Sequence, residues 1–349
     1  MQRLLGRTLK LGAWLAMTLA FASITASAQY THYVLGNLDS NQAGKAWHQD
    51  PLLVNAWGVA YAPGNPFWIS DEGTGWSTLY DAKGNPQALQ VVIPSANGTS
   101  AGSPTGIVWN PSGTDFPVQG WPSIFVFATL DGTISGWSPI SNFGQAIVAV
   151  NNSSSNASYT GLAVTNKASG NSLFAADINN NKVDIYDDNF NFVSSFTDSA
   201  LPAGYAPFGI QDINGQVYVT FAPVSGAAGG VVDIFTESGT FVKHLIKGSP
   251  LNQPWGVALA PANFGPLSNT LLVSNNINFT GTINGFNPTT GAFVGTVENA
   301  AGKPIFIDQL WGIVFGGGTP NNGLSNWLYF TAGPNNNING TFGTIIPQQ

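Results

Sequence analysis

The chain repeats one pattern six times. An aromatic residue or threonine stands before a glycine, and an apolar run follows. The copies are Trp57-Gly58-Val59-Ala60, Thr105-Gly106-Ile107-Val108, Thr160-Gly161-Leu162-Ala163, Phe208-Gly209-Ile210, Trp255-Gly256-Val257-Ala258 and Trp311-Gly312-Ile313-Val314. The glycines are 48, 55, 48, 47 and 56 residues apart. A repeat of this length cannot bury its own apolar face, so the units must stack on one another.

Each unit continues alike. A second apolar run follows, as in Phe67–Asp71 and Leu271–Asn275. A third ends in an aromatic: Tyr80, Trp137, Tyr186, Phe235, Phe286 and Phe342. A turn rich in Gly, Asn and Asp comes next, and a fourth run closes the unit, as in Phe241–Leu245. Four short strand-type runs per unit, with turn signals between them, read as a four-stranded antiparallel blade. No segment keeps a 3.6-residue period, so helix is nearly excluded. The expected fold is therefore all-β, a six-bladed β-propeller. The glycines fall on the innermost strands, where backbones crowd the axis. Unit six lacks a fourth run before the sequence stops at Gln349. A spare run, Tyr30–Leu35, precedes unit one. It is expected to pair with Thr341–Ile346 and complete blade six, which removes two exposed sheet edges.

Residues 1–28 read as a secretory signal peptide. Arg3, Arg7 and Lys10 precede the apolar run Leu11–Ile24, and Ala26-Ser27-Ala28 is a small-residue cleavage site. Residues 29–349 are then one domain, secreted to the extracellular space or periplasm, monomeric and without a membrane span. With the leader removed the balance is 7 lysines against 17 acidic residues, or −10, and no arginine remains. An acidic chain without arginine is a poor partner for nucleic acid and for phosphorylated substrates. The absence of cysteine excludes disulfides, thiolate metal sites and a cysteine nucleophile.

The segment Asp177-Ile-Asn-Asn-Asn-Lys-Val-Asp-Ile-Tyr-Asp187 resembles an NHL repeat, a polar turn followed by an apolar strand that ends in an aromatic. The whole chain resembles a family of secreted bacterial propeller proteins without assigned activity. More distantly it is similar to gluconolactonases and streptogramin lyase. The gluconolactonase resemblance implies a divalent metal held on the axis by Glu, Asn and Asp. Here Asn55 stands near the place of that Glu. The lyase resemblance implies a histidine base, and no histidine stands at an innermost-strand end.

No nucleophile elbow, zincin, phosphate-loop or dinucleotide motif is present. His32, His48 and His244 are expected on sheet faces, apart from one another. Asp177-x-Asn179-x-Asn181 begins like a calcium loop, but Lys182 replaces the required glycine, so a polar hairpin turn is the expected reading. The better site argument is topological. Innermost strands begin, and second strands end, at one face of the ring. One channel mouth should therefore gather Asn55, Trp57, Asp71, Glu72, Thr105, Asp131, Tyr159, Asp177, Phe208, Gln253, Trp255, Asn275, Asn276, Asp308, Gln309 and Trp311. Such a rim suits a small polar ligand or a protein partner. A second reading is a metal-dependent hydrolase, lactonase or lyase, with Ca²⁺ or Mg²⁺ on Asp71, Asp177 and Asn275. A third is an extracellular matrix component. Against all three stand plain structural roles: tryptophans packed between blades and aspartates capping their own hairpins.

Overall fold

A computed structural model describes residues 29–349; the leader expected over residues 1–28 lies outside the described residues. Six sheets are arranged around an axis, antiparallel throughout but for the two-residue strand His48–Gln49, which pairs parallel beside the last of them. Blade one is built from Ala56–Tyr61, Phe67–Asp71, Trp76–Tyr80 and the short Val91–Val92. Blade two is Pro104–Trp109, Phe125–Thr129, Thr133–Trp137 and Ile147–Asn151. Blade three is Tyr159–Val164, Leu173–Asp177, Lys182–Tyr186 and Phe192–Phe196. Blade four is Tyr205–Ile213, Gln216–Pro223, Val231–Thr236 and Phe241–Lys247. Blade five is Pro254–Leu259, Leu271–Asn275, Ile283–Phe286 and Phe293–Thr296. Each innermost strand packs beside the next, and that of blade six packs against blade one, so the ring is closed. Among the described residues the helical content is the single turn Ser153–Ser155.

Blade six takes three strands from one end of the sequence, Leu310–Phe315, Leu328–Ala332 and Thr341–Gln348, and its outer strand from the other, His32–Ser40. The pairing is antiparallel, with Leu35 opposite Ile345 and Ser40 opposite Thr341. The closing strand is longer than Tyr30–Leu35, and the register is displaced accordingly. Leu38 explains the extension, because its side chain is buried in the interface with blade one; Tyr33, inside the expected run, is buried against blade five. The Tyr33 hydroxyl also accepts a hydrogen bond from the Leu267 amide at 2.9 Å.

The two long glycine spacings have local causes. Blade two carries an extra hairpin, Pro117–Val118 with Trp121–Pro122, between its first two strands. Blade five has a loop between Leu259 and Leu271, which tucks Phe264 and Leu267 into the interface with blade six.

The repeat glycines sit where neighbouring blades touch. A Cβ on Gly58 would lie 2.3 Å from the Thr105 carbonyl, one on Gly106 2.4 Å from the Leu162 amide, and one on Gly209 2.0 Å from the Trp255 carbonyl. No side chain fits at those distances. Three blades add a polar link at the same point. Thr220, Ser274 and Thr331, on second strands, each accept from the amide of Gly209, Gly256 or Gly312 in their own blade. Ser274 passes its own proton to the Trp311 carbonyl at 2.7 Å, and Thr331 donates likewise to the Trp57 carbonyl in blade one. The hydroxyls thus bridge blade to blade and satisfy backbone groups that burial would otherwise leave unpaired.

Candidate functional site: two ends of one channel

At every repeat glycine the pairing of the first two strands shifts register, for example between Ala56 and Val59, Pro254 and Val257, and Leu310 and Ile313. A bulge re-aims the side chain beside it. Here it turns the residue before the glycine onto the axis. Trp57, Phe208 and Trp311 form a buried cluster, with Trp255 packed against it. Trp57 and Trp311 stack with ring centroids 3.6 Å apart, and Trp255 meets both edge-on at 6.4 and 6.1 Å. Phe208 abuts Trp311 at 5.6 Å. The Trp255 indole donates to the Thr160 carbonyl at 2.9 Å, reaching from blade five to blade three. The Trp311 indole donates to Asn55 Oδ1 at 2.9 Å, and Asn55 Nδ2 donates to Glu72 at 2.8 Å. This end of the channel is filled by its own side chains.

The rim residues do meet in part. Asn55, Gln253 and Gln309 occupy equivalent places, two residues before a tryptophan, and all three have left-handed backbones with φ near 50°. Their carbonyls accept from the residue that follows the second strand: Glu72, Asn276 and Gly333 respectively. Asp308 joins the loops of blades five and six by accepting from the Phe279 and Asn335 amides at 2.6 and 2.8 Å. Gln253 donates to the Ala227 carbonyl at 2.6 Å, Asn276 to the Leu310 carbonyl at 3.2 Å, and Asp131 accepts from the Ser103 amide at 2.8 Å. Thr105 donates to the Tyr159 carbonyl at 2.6 Å.

The three residues expected as metal ligands turn into their own blades. Asp71 accepts from the Thr78 hydroxyl and amide at 2.8 and 3.1 Å. It is fully buried, and burial pushes its carboxyl well above the usual carboxylate range. Asp177 caps its hairpin, accepting from the amides of Ser158 and Asn180 and from the Asn180 side chain at 2.7 Å. Asn275 donates to the Pro250 carbonyl at 2.9 Å and accepts from the Asn252 amide at 3.0 Å. Tyr159 also points inward, its hydroxyl 3.0 Å from Asp184 in blade three.

The opposite end is open. There the innermost strands finish, and all six blades line a funnel of about 550 Å³. Its walls include Val59, Tyr61, Ile107, Trp109, Val164, Leu259 and Phe315. Gln211 stands at its base and also lines the narrow throat beside the ring glycines. The Tyr61 hydroxyl is already bound to the Phe315 carbonyl at 3.0 Å, across the seam of blades one and six. Among the described residues, no aspartate, glutamate, lysine or histidine lines the funnel. None of the residues expected at the channel mouth lines this end. The signal was present as apolar residues one and three places after the repeat glycine, as in Val59 and Tyr61, Val257 and Leu259, and Ile313 and Phe315. The same pattern marks any buried strand, so the sequence alone does not separate wall from core.

No family model matches the chain. Among solved structures it is similar to a Xanthomonas campestris gluconolactonase, with TM-score 0.54, 12% identity, and coverage of 85% of this chain and 88% of that one. It is similar to streptogramin B lyase with TM-score 0.55 and 12% identity over 92% of this chain and 100% of that one. It is also similar to the Escherichia coli soluble aldose sugar dehydrogenase, with TM-score 0.57 and 11% identity over 90% of this chain and 100% of that one. At such identities the likeness is one of fold. Among described residues no helix is long and apolar enough to cross a membrane. In sequence, an uncharacterised protein of Acanthamoeba polyphaga mimivirus is 31% identical over 339 residues, covering 91% of this chain and 81% of its own. A second from the same virus is 28% identical over 89% of this chain and 85% of its own. The chain belongs to the family of the first of these mimivirus proteins.

Proposed function

We propose that the protein is an exported binding propeller that takes a small, mainly apolar ligand in the funnel. The observation that carries this reading is the cavity: about 550 Å³, lined by apolar side chains from all six blades. Small-molecule sites are typically concave, a few hundred Å³ in volume, and apolar, with a few polar groups that fix orientation. Gln211 is the group of that kind here, and it would select a ligand with one hydrogen-bonding end. The expected polar ligand at the tryptophan end has less support, because the aromatic cluster occupies that mouth. Export rests on the pattern of residues 1–28, and the intact mass of secreted protein tests it.

The binding test is a titration with 1-anilinonaphthalene-8-sulfonate, followed by energy transfer from tryptophan. One saturable site is expected, with transfer weakened in Trp109→Phe. Leu259→Glu, at the partly exposed rim, should weaken binding at least tenfold, by removing apolar wall and repelling the sulfonate, while leaving the circular dichroism spectrum unchanged. Equal affinity in the Leu259→Glu variant would refute the funnel as the site.

A further inference from the structure

Blade four carries a second group of chemically versatile side chains, far from the axis. Asp233 and His244 are directly opposite each other on the two outer strands, at a point where the pairing shifts register. His244 Nδ1 lies 2.8 Å from Asp233 Oδ1 and 3.2 Å from Asp198 Oδ2. Asp198 comes from the connection between blades three and four. Its other oxygen accepts from the Ala200 amide at 2.8 Å, which holds the carboxylate toward the histidine. One donor atom from each of the three residues lies within 4.8 Å of the other two.

Two features mark the group as more than an ion pair. First, one ring nitrogen faces two carboxylates. A single N–H cannot bond both well, whereas one cation in its place can. Second, Asp233 is completely buried, and its Oδ2 has no hydrogen-bond partner. Asp198 is 8% exposed, and its Oδ2 also lacks a partner of good geometry. A buried carboxylate oxygen without a donor is costly and rare in native structures. Lys243, next in sequence, is turned away and donates to the Thr289 carbonyl at 2.7 Å. His244 is partly exposed, which leaves an entry path.

We propose that Asp198, Asp233 and His244 bind one divalent transition-metal ion, through His244 Nδ1 and one oxygen of each carboxylate. Two carboxylates and a neutral imidazole neutralise a +2 charge. The mixed nitrogen and oxygen donors suit Zn²⁺, Mn²⁺ or Co²⁺ better than Ca²⁺ or Mg²⁺, which prefer oxygen alone. The ion would staple the connection carrying Asp198 to the outer hairpin of blade four. The site is independent of the funnel.

The test uses chelator-treated protein, titrated with Zn²⁺ by calorimetry and with Co²⁺ by visible absorption. One Zn²⁺ per chain is expected, with a rise in Tm, and the Co²⁺ form should show the bands of a mixed nitrogen and oxygen site. His244→Gln and Asp198→Asn should each weaken Zn²⁺ binding at least thirtyfold. His244 is partly exposed and Asp198 lies in a connection outside the strands, and circular dichroism without metal checks that both variants fold; Asp233→Asn, at a fully buried strand position, is the harsher variant. His32→Gln with His48→Gln should leave binding intact. Absence of stoichiometric binding in the wild type, its survival in His244→Gln, or its loss in the His32 and His48 double variant would each overturn the proposal.

Discussion

Trp57 and Trp311 lie face to face across the seam between blades one and six, 17° from parallel. The stack ties the first repeat to the last on the axis itself. The Trp311 indole is bonded to Asn55, whose amide is bonded in turn to Glu72.

Trp311→Ala should therefore cost about 3–5 kcal/mol, the usual range for deleting a buried tryptophan. Trp311→Phe keeps most of the packing and removes the indole N–H. It should cost about 1–3 kcal/mol, the penalty of leaving the buried Asn55 oxygen without its donor. Urea unfolding of the two variants checks both figures, and their order matters more than their size.

The ring glycines make a sharper claim. Gly209→Ala places a methyl 2.0 Å from the Trp255 carbonyl, a backbone atom of the next blade that cannot rotate away. A loss of about 3 kcal/mol or more is expected, at the upper end of overpacking effects. Gly144→Ala meets nothing within 4 Å and should stay within about 0.5 kcal/mol of wild type. Comparable Tm values for the two variants would show that the blades can slide apart without penalty.

Asp39 gives the stability a pH dependence. It is fully buried on the closing strand, opposite Phe342. Burial, with the charge of Asp50 second, pushes its carboxyl from 3.8 up to about 7. Between pH ~4 and ~7 the folded state keeps a proton that the unfolded chain has lost. This group's contribution is therefore full below pH ~4, falls as pH rises through 7, and is flat above. Asp39→Asn removes the penalty, with a ceiling of about 4 kcal/mol for a shift of this size. The variant should match wild type near pH 4 and exceed it at pH 8, as measured by urea unfolding at the two pH values. A variant that is less stable at pH 8 would contradict the argument.

Calcium should not discriminate Asp71 from its replacement. A fully buried carboxyl held above its usual range offers little charge to a hard cation, and its partner Thr78 lies in the same blade. Asp71→Ala should lower Tm by the same amount in chelator and in millimolar Ca²⁺, as read by scanning calorimetry. A Ca²⁺-dependent gap between the two proteins would restore the axial metal reading.

The sequence carried the architecture because the repeat glycine answers a purely steric demand, and sterics leave a fixed residue at a fixed spacing. The same logic found Trp57, Trp255 and Trp311 on one face. It did not show that a bulge points all three rings at one another, because a register shift leaves no mark in the order of residues. Nor did it show that Asp71, Asp177 and Asn275 would be used up at home: a hairpin cap and a metal ligand are the same side chain until its partners are seen. His244 was expected on a sheet face, and it lies on an outer strand. Its two aspartates were not anticipated, because one sits across a bulged strand pair and the other in a connection of no fixed length.

The bond from Ser40 to the Gly340 carbonyl joins residues 300 positions apart. Closing so long a stretch of chain carries an entropic cost that must be met before the contact rewards it. If this closure comes last, the folding chain passes through an open crescent, with two unpaired strand edges showing, before the last blade is assembled. During that interval it is most exposed to sticking to its neighbours. The outer strand His32–Ser40 presents Val34, Leu35 and Gly36 there, with lysine absent until Lys45. The joint that makes the finished ring durable is thus also the step at which its assembly is most easily lost to aggregation.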